Sequence, residues 1–436
     1  MNEITVGIVA IIILLGLFLT GIELAYAMAI IGFLGFSYLV SFHAACNLLA
    51  KDFFDSFINY GFTVIPLFVL MGQIAYYSGI AKKLFGATNK FIGHVPGGLA
   101  MATIVGATLF KAMCGSTLAT CATFASVAIP EMERYGYSKK LSTGVVASVG
   151  TLGILLPPSI TLIIFGIITE LSIGKLFLAG VFPALLVSAL FMTVVYGWAK
   201  YNPKIAPKSA KATWGERWRS SPDFIAVAVI FILVIGGLMT GKFSPTEAGT
   251  IGTVAVLILA ITKQKGEFTF KGQFAAIDES IRTGCMVLAL IASSVVLGHF
   301  LAVTEIPMRT ADWVGGLGIN RTMIMIFIIL IYLIGGSFID DLAFMILATP
   351  IFYPCIIKLE YDPIWFGIMI GLTVMIGSVI PPVAMCVFVV KKITGESFGT
   401  IYGGVYPFLL GLFGCALFLF LFPSIATWLP SVMMPE

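Results

Sequence analysis

The sequence predicts an all-α polytopic membrane protein made of two inverted repeats, each with about five crossings, one re-entrant helical hairpin and one proline-broken helix. Three observations carry this expectation. Of the 436 residues, 59% are hydrophobic and only 11% charged, against roughly 25% charged in ordinary soluble domains. Apolar runs near the ~20 residues that cross a bilayer recur along the chain and leave no room for a sizeable soluble domain. Two diproline segments, "GILLPPS" at Gly153 to Ser159 and "GSVIPPV" at Gly377 to Val383, sit inside such runs.

The first run, "MNEITVGIVAIIILLGLFL", is apolar enough for a signal peptide, and "AYA" at Ala25 to Ala27 imitates a cleavage site. A signal peptide carries a positive n-region, whereas the only early charge is Glu3, so the run reads as the first span. Crossings are expected at about 5–20, 23–42, 61–80, 142–169 (interrupted by the prolines) and 175–198. The segment 96–131 bends at Gly115 and Ser116 and reads as a hairpin that enters and leaves on one side. Counterparts follow at about 223–241, 246–263, 281–303, 363–393 and 400–422, with a second hairpin at 322–355.

Five landmarks in one order align the halves. Pro157 falls against Pro381, 224 residues on, and Pro183 and Pro407 each follow their diproline by the same 25 residues. "CGST" around Gly115 and Ser116 stands against "GGSF" around Gly336 and Ser337 with three residues' slippage, Gly72 against Gly298, and Glu23 against Glu247. Such a pattern marks an internal duplication. Because five crossings is odd, the second copy starts on the opposite face. Basic residues agree: with the N-terminus outside, Lys82, Lys83, Lys90, Arg134, Lys139, Lys140 and the whole "KYNPKIAPKSAKATWGERWRSS" connector fall on the cytoplasmic side. The other face holds only Lys51, Lys175, Lys242, Arg309, Arg321 and Lys358, as the positive-inside rule requires. The division is a first repeat at 1–199, a cytoplasmic linker at 200–222 and a second repeat at 223–436.

Several chemistries are excluded. The seven cysteines, Cys46, Cys114, Cys121, Cys285, Cys355, Cys386 and Cys415, form no CxxC pair, and His43, His94 and His299 form no HExxH. Neither a P-loop nor a nucleophile elbow is present. An ATP-driven pump, an enzyme and a nucleic-acid binder are therefore not expected.

The prolines suggest a different chemistry. Pro157 and Pro158 lack amide hydrogens and cannot bond the carbonyls of Gly153 and Ile154. Carbonyls freed at membrane depth must meet protein, water or a cation. An unwound backbone facing a hairpin tip that carries Gly115, Ser116, Thr117 and Thr120 offers the several oxygens a hard cation wants. The bland alternative is a proline kink healed by neighbouring helices. In the second hairpin, "SFIDDLAF" places Asp340 and Asp341 in an apolar stretch, where carboxylates mark an ion pathway or cap a wet helix N-terminus. Lys111, one turn before the first tip, either attracts an anionic substrate or snorkels to the surface.

These residues resemble one family over essentially the whole chain. "PLFVLMG" (Pro66 to Gly72), "GSTLAT" (Gly115 to Thr120), "IPEMERYGY" (Ile129 to Tyr137), "GTLGILLPPS" (Gly150 to Ser159), "LFLAGVFPALL" (Leu176 to Leu186), "FSPTEAG" (Phe243 to Gly249) and "DPIWFGI" (Asp362 to Ile368) are similar to the large membrane subunit of tripartite ATP-independent periplasmic (TRAP) transporters, the DctM-like proteins. The resemblance implies an elevator-type architecture and Na⁺-coupled import of an organic acid, with Na⁺ as coupling ion and no other cofactor. It also implies a bacterial inner membrane location, a periplasmic substrate-binding protein (DctP-like) and a small membrane subunit (DctQ-like). By motif, one Na⁺ site falls at Cys114, Gly115, Ser116, Gly153, Leu156 and Pro158. Its mate falls at Gly336, Ser337, Asp340 or Asp341, Gly377, Ile380 and Pro382. Candidate substrate contacts are Lys111, Thr117, Thr120 and Ser159. The family often shows a small residue at Lys111 and a single Asp followed by Pro at Asp340 and Asp341. A stand-alone Na⁺/dicarboxylate symporter and a channel are the alternatives.

Overall fold

The structure, a computed structural model, describes residues 2–18, 20–263, 268–316, 318–338 and 341–434. Asp340 lies outside those residues, as does the side chain of Asp341. The described residues form helices and connecting turns without a strand.

The first half contains α1 (Glu3–Phe18), α2 (Leu24–Leu39), α3 (Phe42–Ile58), α4 (Val64–Tyr77), α5 (Ile80–Ile92), α6 (Gly98–Lys111), α7 (Thr117–Arg134), α8 (Lys139–Gly150), α9 (Ile160–Thr169) and α10 (Ile173–Tyr201). The second contains α11 (Trp214–Met239), α12 (Pro245–Lys263), α13 (Phe270–Val303), α14 (Ile306–Gly316), α15 (Arg321–Phe338), α16 (Asp341–Lys358), α17 (Pro363–Gly377), α18 (Met385–Thr394), α19 (Phe398–Leu421) and α20 (Ser424–Met433). Seven helices among the described residues are long and apolar enough to cross a membrane.

The two halves repeat the same order of helices. α7 begins at Thr117 and α16 at Asp341, and α9 and α18 begin two and three residues after their diprolines. N-caps recur at matching places: Ser41 and Thr269 cap α3 and α13, Ser138 and Asp362 cap α8 and α17, and Ser172 and Ser397 cap α10 and α19. Each of these side chains accepts a bond from an amide that the helix leaves unpaired. Packing exchanges between the copies as well. α2 packs on α13 while α12 packs on α4, α8 on α19 while α17 packs on α10, and α7 on α18 while α16 packs on α9.

Two helix groups result. α1 to α4 pack with α11 to α13, and α6 to α10 pack with α15 to α20, with α5 and α14 bridging. Between the groups, contact is limited mainly to α4 against α7 and α9, α13 against α16, and α11 against α6 and α10.

Some expected details differ. α3, α5, α14 and α20 fall where the sequence suggested loops; α5 carries Lys82, Lys83 and Lys90 on an amphipathic surface and has no span-like apolar run. Glu23 and Glu247 are not equivalent. Glu23 precedes α2 without a side-chain cap bond, whereas Glu247 bonds Ser244 in a capping box at the start of α12. The hairpin tips also differ, because α6 stops at Lys111 while α15 stays helical through Gly336 and Ser337.

Candidate ion and substrate site at the helix breaks

α8 and α9 have 12 and 10 residues, so at ~1.5 Å per residue each reaches only about half of a ~30 Å hydrocarbon core. Together they make one crossing whose interruption, a 3₁₀ turn at Thr151–Ile154 followed by the prolines, lies between the halves. Residues 151–160 are all buried, so the break faces protein. The sequence expectation left the Ile154 carbonyl free; in the structure it accepts a 2.5 Å bond from Ser159 Oγ. Ser159 also accepts from Leu162 N and so caps α9.

The first hairpin tip closes on this break. A Cβ on Gly115 would stand 2.7 Å from the Pro158 carbonyl oxygen, so only glycine permits the approach. Ser116 caps α7, its Oγ accepting from Ala119 N at 3.3 Å. Its carbonyl oxygen gathers donors: Lys111 Nζ at 2.9 Å, Thr120 Oγ1 at 3.1 Å and Thr120 N at 3.2 Å, with Cys114 Sγ at 4.0 Å. Lys111 is fully buried, so it does not snorkel. Its head lies against Gly153, where a Cβ would be 1.9 Å from Nζ.

In the second copy, Gly377 lies against the tip: a Cβ there would be 3.0 Å from the Gly336 carbonyl carbon and oxygen. The Ser337 carbonyl accepts from Val383 N at 3.2 Å, immediately past the diproline, and Ser337 Oγ donates to Leu333 O at 2.7 Å. Ile380 N donates to Ile376 and Gly377 carbonyls. Pro381 and Pro382 are exposed where Pro157 and Pro158 are buried. The pair Asp340 and Asp341 lies outside the described residues, apart from the Asp341 backbone that starts α16.

Between the two helix groups lies a cavity of about 150 Å³. Gly115, Ser116, Thr117 and Leu118 from the first tip line it, with Ile154, Ile160 and Thr161 from the break, Leu342 and Met385 from the second copy, and Thr283, Met286, Val287 and Leu290 from α13. Of the expected substrate contacts, only Thr117 lines this space. Lys111, Thr120 and Ser159 sit behind it, spent on the Ser116 and Ile154 carbonyls. Thr161 and Thr283 were missed. Thr161 follows Ser159 by two residues, a usable signal, but Thr283 is one of four hydroxyls in a 34-residue helix.

The sequence profile of the tripartite ATP-independent periplasmic transporter, DctM component, matches residues 11–425. The chain belongs to the DctM family. Among its relatives, the C4-dicarboxylate TRAP transporter large permease protein DctM of Pseudomonas aeruginosa is 33% identical, with 88% of each chain covered. The sialic acid TRAP transporter large permease protein SiaM of Vibrio cholerae is 29% identical, covering 96% of this chain and 97% of SiaM. The YdaH transporter of Alcanivorax borkumensis, whose crystal structure reveals an unusual topology, shares the fold with a TM-score of 0.64 at 14% identity, over 87% of this chain and 88% of YdaH. The protein is thus a large permease subunit of a TRAP transporter: a multi-pass membrane transport component and not an enzyme.

Proposed function

We propose that this permease imports a small organic acid, a dicarboxylate, sialic acid or similar carboxylate, by Na⁺-coupled secondary transport in a bacterial inner membrane. A periplasmic binding protein delivers the substrate, and a separate small membrane subunit braces the permease. The two inverted repeats at 1–199 and 223–436, joined by a cytoplasmic linker at 200–222, form the alternating-access machine. The group α6 to α10 with α15 to α20 moves as an elevator against α1 to α4 with α11 to α13. Na⁺ binds at the second break among Gly336, Ser337, Gly377, Ile380 and Pro382, with Asp340 or Asp341 supplying charge. The related proteins named for C4-dicarboxylate and sialic acid transport support the substrate class.

The observation that carries this reading is the cavity in the sparsely packed seam, lined on one side by a hairpin tip and a helix break and on the other by α13. Sliding along such a seam carries a bound solute across without unpacking either group. Uptake of labelled dicarboxylate or sialic acid into proteoliposomes, with the binding protein and the Na⁺ gradient each present or omitted, tests it. Uptake is expected only with both. Robust uptake without a binding protein refutes the tripartite reading in favour of a stand-alone symporter, and flux indifferent to the Na⁺ gradient refutes the coupling.

A further inference from the structure

The break of α8 and α9 and the tip of α6 and α7 are built to attract positive charge. Lys111 is the last residue of α6, and Gly153 lies in the final turn before the prolines; both helix C-termini carry negative partial charge. An alkali cation placed there needs several oxygens with lone pairs to spare. Two of the carbonyls there are already engaged. The Ser116 carbonyl already accepts the Lys111 ammonium, Thr120 Oγ1 and Thr120 N, and the Ile154 carbonyl accepts Ser159 Oγ. The Lys111 side chain fills the space against Gly153 from Cδ to Nζ. No carboxylate pairs with that ammonium among the described residues. The second copy offers Tyr332 or Gly335 at the two offsets that align it with Lys111, and so has no lysine there.

We infer that the Lys111 ammonium is the resident cation of the first break, a tethered substitute for an alkali ion, so that this permease uses one Na⁺ site fewer than its duplicated fold provides. A Na⁺ on the Ser116 carbonyl would share that oxygen with a positive charge, so the two occupants exclude one another. The tethered charge travels with the moving group in both directions and adds nothing to the net charge carried per cycle. Each Na⁺ lost from the stoichiometry lowers the attainable accumulation by about 50-fold at ~100 mV, from the membrane potential alone. The inference extends the Na⁺-coupled reading, but the two can fail separately.

The test is ²²Na⁺ binding to the full chain in nanodiscs, measured for the native protein, Lys111→Ala and Lys111→Ser. One Na⁺ in the native chain and two in either variant is the expected result, with the variants' thermal midpoint raised by Na⁺ more than that of the native chain. No Na⁺ in the native chain and one in a variant also supports the tethered cation, while refuting Na⁺ binding at the second break. Two Na⁺ in the native chain, or variants that bind no more than the native chain, overturns the inference. If neither variant folds, the native stoichiometry decides: one supports it, two refutes it.

Discussion

Replacing Lys111 with methionine asks what the buried ammonium does to the fold. The methionine side chain has similar length and volume, so the space against Gly153 stays filled and little cavity cost arises. The charged bond from Nζ to the Ser116 carbonyl at 2.9 Å is lost, and bonds of that kind contribute about 1.5–3 kcal/mol. The carbonyl is not orphaned, because Thr120 still donates to it through both N and Oγ1. Against that loss stands the desolvation of an ion with no carboxylate partner among the described residues, which costs several kcal/mol even after relaxation. The second quantity is the larger, so Lys111→Met should leave stability unchanged or raise it by about 1–4 kcal/mol. Thermal unfolding in detergent without Na⁺ is the assay, and the midpoint should sit at or above that of the native chain. A fall equivalent to about 3–5 kcal/mol is what breaking a buried ion pair produces. That result would place a carboxylate against Lys111 and refute the reasoning.

Three further outcomes follow from the geometry. Ser116→Ala removes the N-cap acceptor of α7 but leaves the carbonyl that holds Lys111; stability should fall by about 1 kcal/mol with an unchanged Na⁺ titration, read by unfolding and by ²²Na⁺ binding. Asp340→Ala or Asp341→Ala should raise the half-saturating Na⁺ concentration for uptake at least tenfold, since a unit charge at ~4 Å is worth on the order of 4 kcal/mol at an effective dielectric near 20. Unchanged Na⁺ response in both variants would mean the second site lies elsewhere. Gly115→Ala drives a Cβ to 2.7 Å from the Pro158 carbonyl and should cost about 1–3 kcal/mol while opening the tip from the break, visible as a lower thermal midpoint together with lost uptake.

The architecture was legible because the bilayer imposes coarse constraints that sequence records directly. Apolar run lengths gave the spans, and the paired prolines marked both half-helix crossings because a backbone without amide hydrogens is tolerated at membrane depth only inside protein or beside water. The amphipathic α3 and α5 escaped notice for the opposite reason. Their charged faces look like loop composition, and their places come from tertiary packing, α3 against α2 and α13, with Asp52 bonded to His299 at 2.8 Å, and α5 against α6 and α11.

The site was legible in its backbone and not in its side chains. Gly115, Gly153 and Gly377 stand where two backbones or a buried side chain approach too closely for a Cβ; Gly153 and Gly377 announce themselves one turn before a diproline, and Gly115 beside the serine of the tip. Direction is a different matter. Nothing in the spacing of Lys111 tells whether its stem runs outward to water, into the cavity or inward to Gly153, because all three lie within reach of a lysine at a helix end. The choice is made by the Ser116 carbonyl and by the negative end of α6, both products of tertiary folding. The same reasoning accounts for the asymmetry of the two breaks. The tips differ in backbone, α6 stopping at Lys111 while α15 stays helical through Ser337, and on our proposal one lysine in one copy fills the first break. On the proposed reading, the second break, which lacks that lysine and has its prolines exposed, is where a mobile ion enters and leaves.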